Sequence, residues 1–256
     1  MVKISTIFKK IQRKWIKLRL QPIPVFCLHH VCEQFDAESM YPCDWMKLSE
    51  FKQKINALRR KGYQFISLAD AYNHLTKDLF RRKKYAVLTF DDGYKSLLEV
   101  LPWLEKQNIP ATLFINGKYL DGTSYRESPK EQYLTYDELF ALNSPLIEIG
   151  HHGWSHTPVC QMTNEEFIQS LRLNLDAISN HPRYISFWAY TYGNSTTQSD
   201  SMLQNNQLVP VKVSGSRSNR YLGKIERESL FYIDAKIKDA SLCRNKGICK
   251  NCIYKF

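Results

Sequence analysis

Residues 85–94 read YAVLTFDDGY and contain the strand end on which the interpretation of the fold depends. The apolar run over residues 85–90 predicts a buried strand, which ends at two adjacent carboxylates, Asp91 and Asp92. A helix is predicted next, because leucines recur at helical spacing at Leu97, Leu98, Leu101 and Leu104. A buried strand, a polar turn and an amphipathic helix form the repeating unit of α/β folds.

The same alternation continues on both sides of this unit. Strands are predicted at residues 25–28, 64–68, 111–116, 146–149, 184–189 and 208–213, and helices near 51–58, 136–142, 164–178 and 199–206. Roughly six to eight such units in about 220 residues fit a parallel barrel better than a doubly wound sheet. We therefore predict an α/β barrel.

Composition excludes several classes of protein. Hydrophobic residues make up 43% of the 256 residues, which excludes a mostly disordered chain. No run approaches the roughly 18 to 20 apolar residues that cross a bilayer, so an integral membrane protein is not expected. The net charge is +11, but seven basic residues and no acid lie in residues 1–20, which leaves +4 elsewhere. Nucleic-acid binding by the body is therefore not expected.

The first 21 residues form a segment of their own before the barrel. Apolar residues recur every three or four positions between cations, at Ile4, Ile7, Phe8, Ile11, Trp15 and Leu18. This basic amphipathic pattern is typical of helices that lie on anionic membranes. A helix docked on its own domain fits equally well. No secretory signal is evident, so we expect a cytoplasmic protein whose residues 1–20 could contact the inner membrane face.

Seven cysteines without a signal peptide favour free thiols in a reducing compartment. Cys243, Cys249 and Cys252 cluster in a tail at residues 241–256. They are either ordinary thiols or three ligands of a metal whose fourth ligand comes from elsewhere. The predicted organisation is thus a basic segment (1–21), a barrel domain (22–240) and a cysteine-rich tail (241–256).

Two further polar clusters follow predicted strands. In Glu148-Ile-Gly-His-His-Gly-Trp-Ser-His156, the four-residue spacing of His152 and His156 would aim both imidazoles at one point if they shared a helical turn. Imidazoles with a carboxylate suit zinc and related divalent ions. The third cluster is an aromatic loop over residues 187–193. In the first cluster, Asp92-Gly93 taken alone is equally explained as an ordinary turn without a functional role.

Together these clusters resemble the polysaccharide deacetylase family, also described as the NodB-homology domain or carbohydrate esterase family 4. TFDDGY matches the first family motif, and His152-Gly-Trp-Ser-His156 matches the second in spacing, with Gly153 where a hydroxyl residue is usual. Tyr190-Thr-Tyr-Gly193 is similar to the third, with Thr191 in place of proline. The resemblance covers residues 22–235. It implies a distorted (β/α)7 barrel that removes acetyl groups from N-acetylated sugars of a glycan or a lipid-linked precursor.

By the same resemblance, one divalent ion is bound by Asp92, His152 and His156, and Asp91 is the catalytic base. Zinc is the first choice of metal, while nickel, cobalt and iron fit the same ligands. The remaining carried-over residues belong to the oxyanion or substrate site: Tyr192 through its backbone N–H, with Tyr190 and Trp154.

Two features depart from the family pattern. The arginine that begins the third motif in many members and steadies the base is absent, with Phe187 and Trp188 nearby instead, and no late Leu-His motif supplies the catalytic acid. However, Leu28-His29-His30-Val31 resembles the Tyr-His-x-Val segment of circularly permuted members, in which that strand comes first. We therefore assign His29 as the acid and leave the role of His30 open.

Two other functions remain to be weighed. A catalytically inactive, carbohydrate-binding relative would explain the missing arginine and the altered third motif, whereas the intact metal and base residues oppose it. An iron oxygenase would use two histidines and one carboxylate, but such enzymes usually have an all-β scaffold.

Overall fold

A computed structural model describes residues 20–34, 44–78, 80–123, 132–213, 219 and 225–230. Its strands are β1 (Val25–Leu28), β2 (His30–Cys32), β3 (Trp45–Lys47), β4 (Tyr63–Phe65), β5 (Lys84–Phe90), β6 (Ala111–Ile115), β7 (Ile147–His151), β8 (Tyr184–Ala189), β9 (Val209–Val213) and β10 (Ile225–Ser229). Its helices are α1 (Leu48–Arg60), α2 (Leu68–Lys77), α3 (Leu97–Lys106), α4 (Tyr136–Ala141), α5 (Asn164–Ile178) and α6 (Thr197–Asn205).

Seven strands close into a parallel barrel. The hydrogen-bonded order runs β1-β10-β9-β8-β7-β6-β5, and β1 also pairs with β5, with Val25 opposite Val87 and Leu28 opposite Phe90. All of these pairings are parallel, so the carboxyl ends of the seven strands meet on one rim. The predicted (β/α)7 barrel is confirmed.

Successive residues of the barrel strands contribute to two apolar clusters. Val25 and Val87 belong to a cluster that joins six barrel strands with α2, whereas Phe26 and Leu88 pack with α1 and α3. This alternation follows from the two-residue period of a strand, which sends neighbouring side chains to opposite faces. The barrel is thereby filled on the inside and covered on the outside, and this packing supports the rim.

Glu148, the carboxylate of the second polar cluster, helps to support the rim. It is buried and accepts hydrogen bonds from the backbone N–H groups of Leu68 and Ala69 and from the Thr112 hydroxyl. A carboxylate at the first turn of a helix satisfies N–H groups that have no partner within the helix. Glu148 therefore holds α2 against β6 and β7 and takes no part in the rim chemistry.

The predicted and observed elements differ in four places. The strand predicted over residues 64–68 ends at Phe65, because Ser67 caps a helix by accepting a hydrogen bond from the Asp70 N–H. That helix, α2, was not predicted. The small β2–β3 pair and the barrel strand β10 were also missed.

Residues 1–19 and 231–256 lie outside the described part of the chain. Most of the basic segment and the whole cysteine-rich tail therefore lie outside it as well. The membrane contact of residues 1–20, the cellular location, the domain boundaries and the state of the tail cysteines stay predictions. Among the described helices, none has the length and apolar character needed to cross a bilayer.

Candidate functional site

Three strand ends bring the predicted site residues to one rim of the barrel. Asp91 and Asp92 follow β5, His152 follows β7, and His29 follows β1. The N–H of Asp91 donates to the Leu28 carbonyl at 2.9 Å, so the ends of β1 and β5 remain paired where the site begins. In parallel barrels this rim is where active sites form.

A tight turn after β5 orients the two carboxylates differently. Asp92 and Gly93 both have left-handed backbone conformations, with φ of 72° and 77°. A Cβ at position 93 would lie 2.9 Å from Ile115 Cδ1 in addition to being strained, so glycine is required there. The Asp-Gly turn considered from the sequence alone is therefore real, and it also carries functional side chains.

Asp92, His152 and His156 converge as predicted. Asp92 Oδ1 lies 3.3 Å from His152 Nε2 and 3.1 Å from His156 Nε2, and all three side chains are buried. One potential ligand atom from each residue lies within 4.8 Å of the others. Asp92 Oδ1 makes no hydrogen bond of acceptable geometry despite these short distances. A buried carboxylate oxygen facing two imidazoles suits a divalent cation, which would satisfy all three groups at once.

His152 is oriented by its other ring nitrogen. Its Nδ1 lies 2.9 Å from the carbonyl of Ala189, the last residue of β8. Donation of the Nδ1 proton to that carbonyl leaves Nε2 with its lone pair toward Asp92, which is the usual orientation of a metal-binding histidine.

The two histidines converge through a loop and not through the helical turn expected from their spacing. Gly153 and His156 have φ of 85° and 55°, which ends any helix. Side chains from two other segments fix the backbone of this loop. The Asn116 amide donates to the carbonyls of His152 and Gly153, and the Thr191 hydroxyl donates to the His152 carbonyl. The helical expectation was wrong because Gly153 permits this left-handed path, while the predicted convergence was right.

Asp91 has the arginine partner that the sequence analysis did not find. Arg227 in β10 donates from Nη1 and Nη2 to the two carboxylate oxygens at 2.5 and 2.7 Å, and from Nη1 to the Thr89 hydroxyl at 3.1 Å. Its side chain is 0% exposed. The conclusion that the base lacks an arginine was therefore wrong: the guanidinium comes from a strand that was not predicted. The sequence offers no clear signal for it, because Glu226, Arg227 and Glu228 are three consecutive charged residues in a short strand.

Positively charged neighbours at the rim oppose the effect of burial on the pKa values of Asp91 and Asp92. Burial alone would raise the pKa of Asp91, but Arg227 and His152 outweigh it and lower the pKa to about 2. Burial likewise acts to raise the pKa of Asp92, while the neighbouring His156 and His152 hold it well below its usual value. Both groups are therefore anions at neutral pH. Asp91 Oδ2 lies 3.8 Å from His152 Nε2, beside the three converging ligands and engaged by Arg227.

The adjacent histidines His29 and His30 face different surroundings. His29 is half-buried, and its ring lies close enough to Asp91 for their ligand atoms to fall within 4.8 Å. His30 is buried, stacks on Tyr94 at 3.7 Å between ring centroids and has Nδ1 3.1 Å from the Ser96 hydroxyl. The alternation of a strand thus leaves His29 at the rim and gives His30 a packing role.

The three predicted oxyanion or substrate residues have different placements. Tyr192 has φ of 54°, is 36% exposed, and its ring lies 4.8 Å from that of His156, at the edge of the site. Tyr190 is fully buried, with its hydroxyl hydrogen-bonded to Asp200, so its side chain is part of the core and the predicted substrate contact does not fit its position. Trp154 is half-buried and lines a cleft beside α5 with Ser155.

Comparison with known proteins agrees with this geometry. The family model described as polysaccharide deacetylase matches residues 80–211, slightly more than half of the chain. Poly-beta-1,6-N-acetyl-D-glucosamine N-deacetylase from Escherichia coli is 26% identical over 148 residues, which cover 54% of this chain and 22% of that protein. YxkH from Bacillus subtilis is 27% identical over 118 residues, or 46% of this chain and 39% of its own length. The chain thus matches well under half the length of these relatives.

Two solved structures have the same fold. IcaB from Ammonifex degensii superposes with a TM-score of 0.67 at 19% identity, over 85% of this chain and 94% of that one. The Streptococcus pyogenes deacetylase PplD, in complex with acetate, superposes with a TM-score of 0.64 at 17% identity, over 86% and 100%. At such identities the likeness concerns the fold.

Proposed function

Because the chain belongs to the polysaccharide deacetylase family, we propose that it is a metal-dependent hydrolase that removes acetyl groups from N-acetylated sugars. The observation that carries the proposal is the convergence of Asp92, His152 and His156 beside an Asp91 that Arg227 engages through both oxygens. Family membership also argues against an iron oxygenase.

Each residue of the site has a role in amide hydrolysis. A divalent ion held by Asp92, His152 and His156 would act as a Lewis acid on the acetyl carbonyl and acidify a nearby water. Asp91 accepts the proton of the attacking water, and Arg227 fixes the direction of its carboxylate. The Tyr192 backbone N–H stabilises the oxyanion, and His29 protonates the amine that leaves.

The inactive carbohydrate-binding relative is the second candidate. Its main argument was a missing arginine, and Arg227 removes that argument because the base is held by a guanidinium after all. An intact set of ligands and an anionic, oriented base favour catalysis over simple sugar binding.

Acetate release tests the proposed function. We expect the full chain to release acetate from N-acetylglucosamine oligomers, and to lose that activity with a chelator and regain it with one equivalent of Zn²⁺. A panel of polymer, oligosaccharide and lipid-linked substrates would identify the acceptor. Absence of release from every N-acetylated sugar, with the protein loaded with metal, would rule the proposal out.

His29→Ala should reduce the release of acetate from an N-acetyl sugar by about 10² to 10⁴-fold, because the amine leaves poorly without a proton. An activated acetate ester has a good leaving group and should be affected far less. The closeness of the half-buried His29 to Asp91 at the rim supports this role.

The matched control for this prediction is His74→Ala, a histidine on α2 that is remote from the rim motifs in sequence. It should leave both rates unchanged, and metal content should be the same in all three proteins. Equal losses on the amide and the ester in His29→Ala would remove His29 from the role of acid.

A further inference from the structure

A second group of metal-ligand side chains adjoins the first. Cys27, His29 and Asp91 each offer a ligand atom within 4.8 Å of the others, and Cys27 Sγ lies 3.3 Å from Asp91 Oδ2. We propose that this trio is a second, weaker site for a thiophilic divalent cation such as Zn²⁺, and that its occupation inhibits the enzyme. The inhibition rests on the proposed function, whereas the binding does not.

The barrel strands bring this trio together. Cys27 in β1 lies in register opposite Thr89 in β5, two residues before Asp91, and His29 follows the end of β1. Tetrahedral zinc with bonds of about 2.0 to 2.3 Å has its ligands about 3.3 to 3.7 Å apart. The Cys27–Asp91 distance already falls in this range. Only the half-buried His29 ring has to move, by about 1 Å at most.

The chemistry of the donors sets which ions bind. Thiolate, imidazole and carboxylate form a ligand set for Zn²⁺, Co²⁺ or Cd²⁺, whereas Mg²⁺ and Ca²⁺ prefer oxygen ligands alone. Binding displaces the thiol proton of Cys27, which now points at Asp91 and would be released to solvent as the S–metal bond forms.

Two features make this site weaker than the one at Asp92. The cation would compete with Arg227, whose guanidinium already binds both oxygens of Asp91, and the buried Cys27 thiol has to lose its proton before its sulfur can bind. The first equivalent of metal therefore binds at Asp92, His152 and His156, and only an excess fills the trio.

Occupation of the trio would remove two reacting groups together. The cation takes up the lone pairs of Asp91, the base, and of His29, the acid, so neither can transfer a proton. Excess zinc should therefore inhibit a zinc enzyme, and Mg²⁺ at the same concentration should not.

Cobalt provides a readout that does not depend on activity. The titration uses the full-length protein with Cys243, Cys249 and Cys252 replaced by serine, so that the tail thiols do not contribute. We expect a thiolate-to-cobalt charge-transfer band in the near ultraviolet that grows only with the second equivalent of Co²⁺. Cys27→Ala should lack the band. Cys32→Ala, which removes a buried thiol outside the trio, should retain it.

The inhibition is measured separately on acetate release, with each variant normalised to its own rate at one equivalent of zinc. The zinc concentration that halves this rate should rise at least about tenfold in Cys27→Ala, the effect of losing one of three ligands. His29→Gln, at a half-buried position, should keep the cobalt band but need more Co²⁺ to form it, which covers the case that Cys27→Ala folds poorly. Binding of only one equivalent by the parent protein, or an equal band in Cys27→Ala, would overturn the site even if deacetylation failed altogether.

Discussion

Asp92→Ala should abolish tight metal binding and reduce acetate release by at least about 10³-fold. Asp92 contributes the only negative charge among the three converging ligands, and its Oδ1 lies within 3.3 Å of both imidazoles. Mutation of residues that merely support metal ligands already costs about 10- to 100-fold in affinity or activity, so loss of a ligand should cost more. Elemental analysis after dialysis, together with acetate release, measures both effects.

The control for this variant is Asp176→Ala, an exposed aspartate on α5. It should retain one ion per chain and the full rate. A ratio of one ion per chain in Asp92→Ala, measured at the same metal concentration, would show that the ion is held elsewhere.

Arg227→Met should have the second largest effect, on both stability and catalysis. It removes the guanidinium but keeps much of the volume, and so leaves the Asp91 carboxylate buried beside Cys27 without its main cation. Breaking one side of a buried ion pair costs about 3 to 5 kcal/mol of the free energy of unfolding. Urea unfolding of the metal-free proteins would measure this cost, and acetate release should fall because the base loses its fixed direction.

The double variant Arg227→Met/Asp91→Asn separates the pair from simple packing. With the carboxylate neutralised, most of the lost stability should return, whereas the activity should not. If the double variant is as unstable as Arg227→Met, the destabilisation comes from packing around Phe114 and not from the unpaired charge.

The pH dependence of stability follows from the same pair. The pKa of Asp91 is lowered in the folded state to about 2, below the unfolded value of about 3.9, so its contribution is fully present above pH 4. It is lost as the pH falls from about 4 toward 2. In Arg227→Met the guanidinium no longer opposes the effect of burial on the pKa of Asp91. The increase in stability between pH 2 and pH 4 should therefore disappear in this variant.

Strand ends were the most predictable part of this molecule. A buried apolar run followed by a carboxylate or histidine locates a residue at the rim. The pairing of β6 with both β5 and β7 then brings the strand ends at residues 90 and 151 close together. Strand ends, together with the resemblance to the family motifs, therefore allowed Asp91, Asp92, His152 and His156 to be grouped from the sequence.

Arg227 could not be grouped in this way, for a physical reason. In Ile225-Glu-Arg-Glu-Ser229, charged residues occupy both faces of a short strand, and such a pattern normally indicates solvent exposure. Burial of the guanidinium is favourable only because Asp91 lies at the end of β5, which is separated from β10 by β1 alone. Such a pairing depends on the three-dimensional arrangement of the strands. The α2 helix was missed for a different reason: its local cap, Ser67 with the Asp70 N–H, lies within residues 64–68, which were assigned to the preceding strand.

The most direct test of the account compares the parent protein with Asp91→Asn, each loaded with one equivalent of Zn²⁺, in acetate release from an N-acetylglucosamine oligomer. We predict that both proteins hold one ion, and that Asp91→Asn is slower by the roughly 10² to 10⁴-fold typical of a lost general base. Equal rates in the two proteins would contradict it, as would the absence of acetate release from the loaded parent protein.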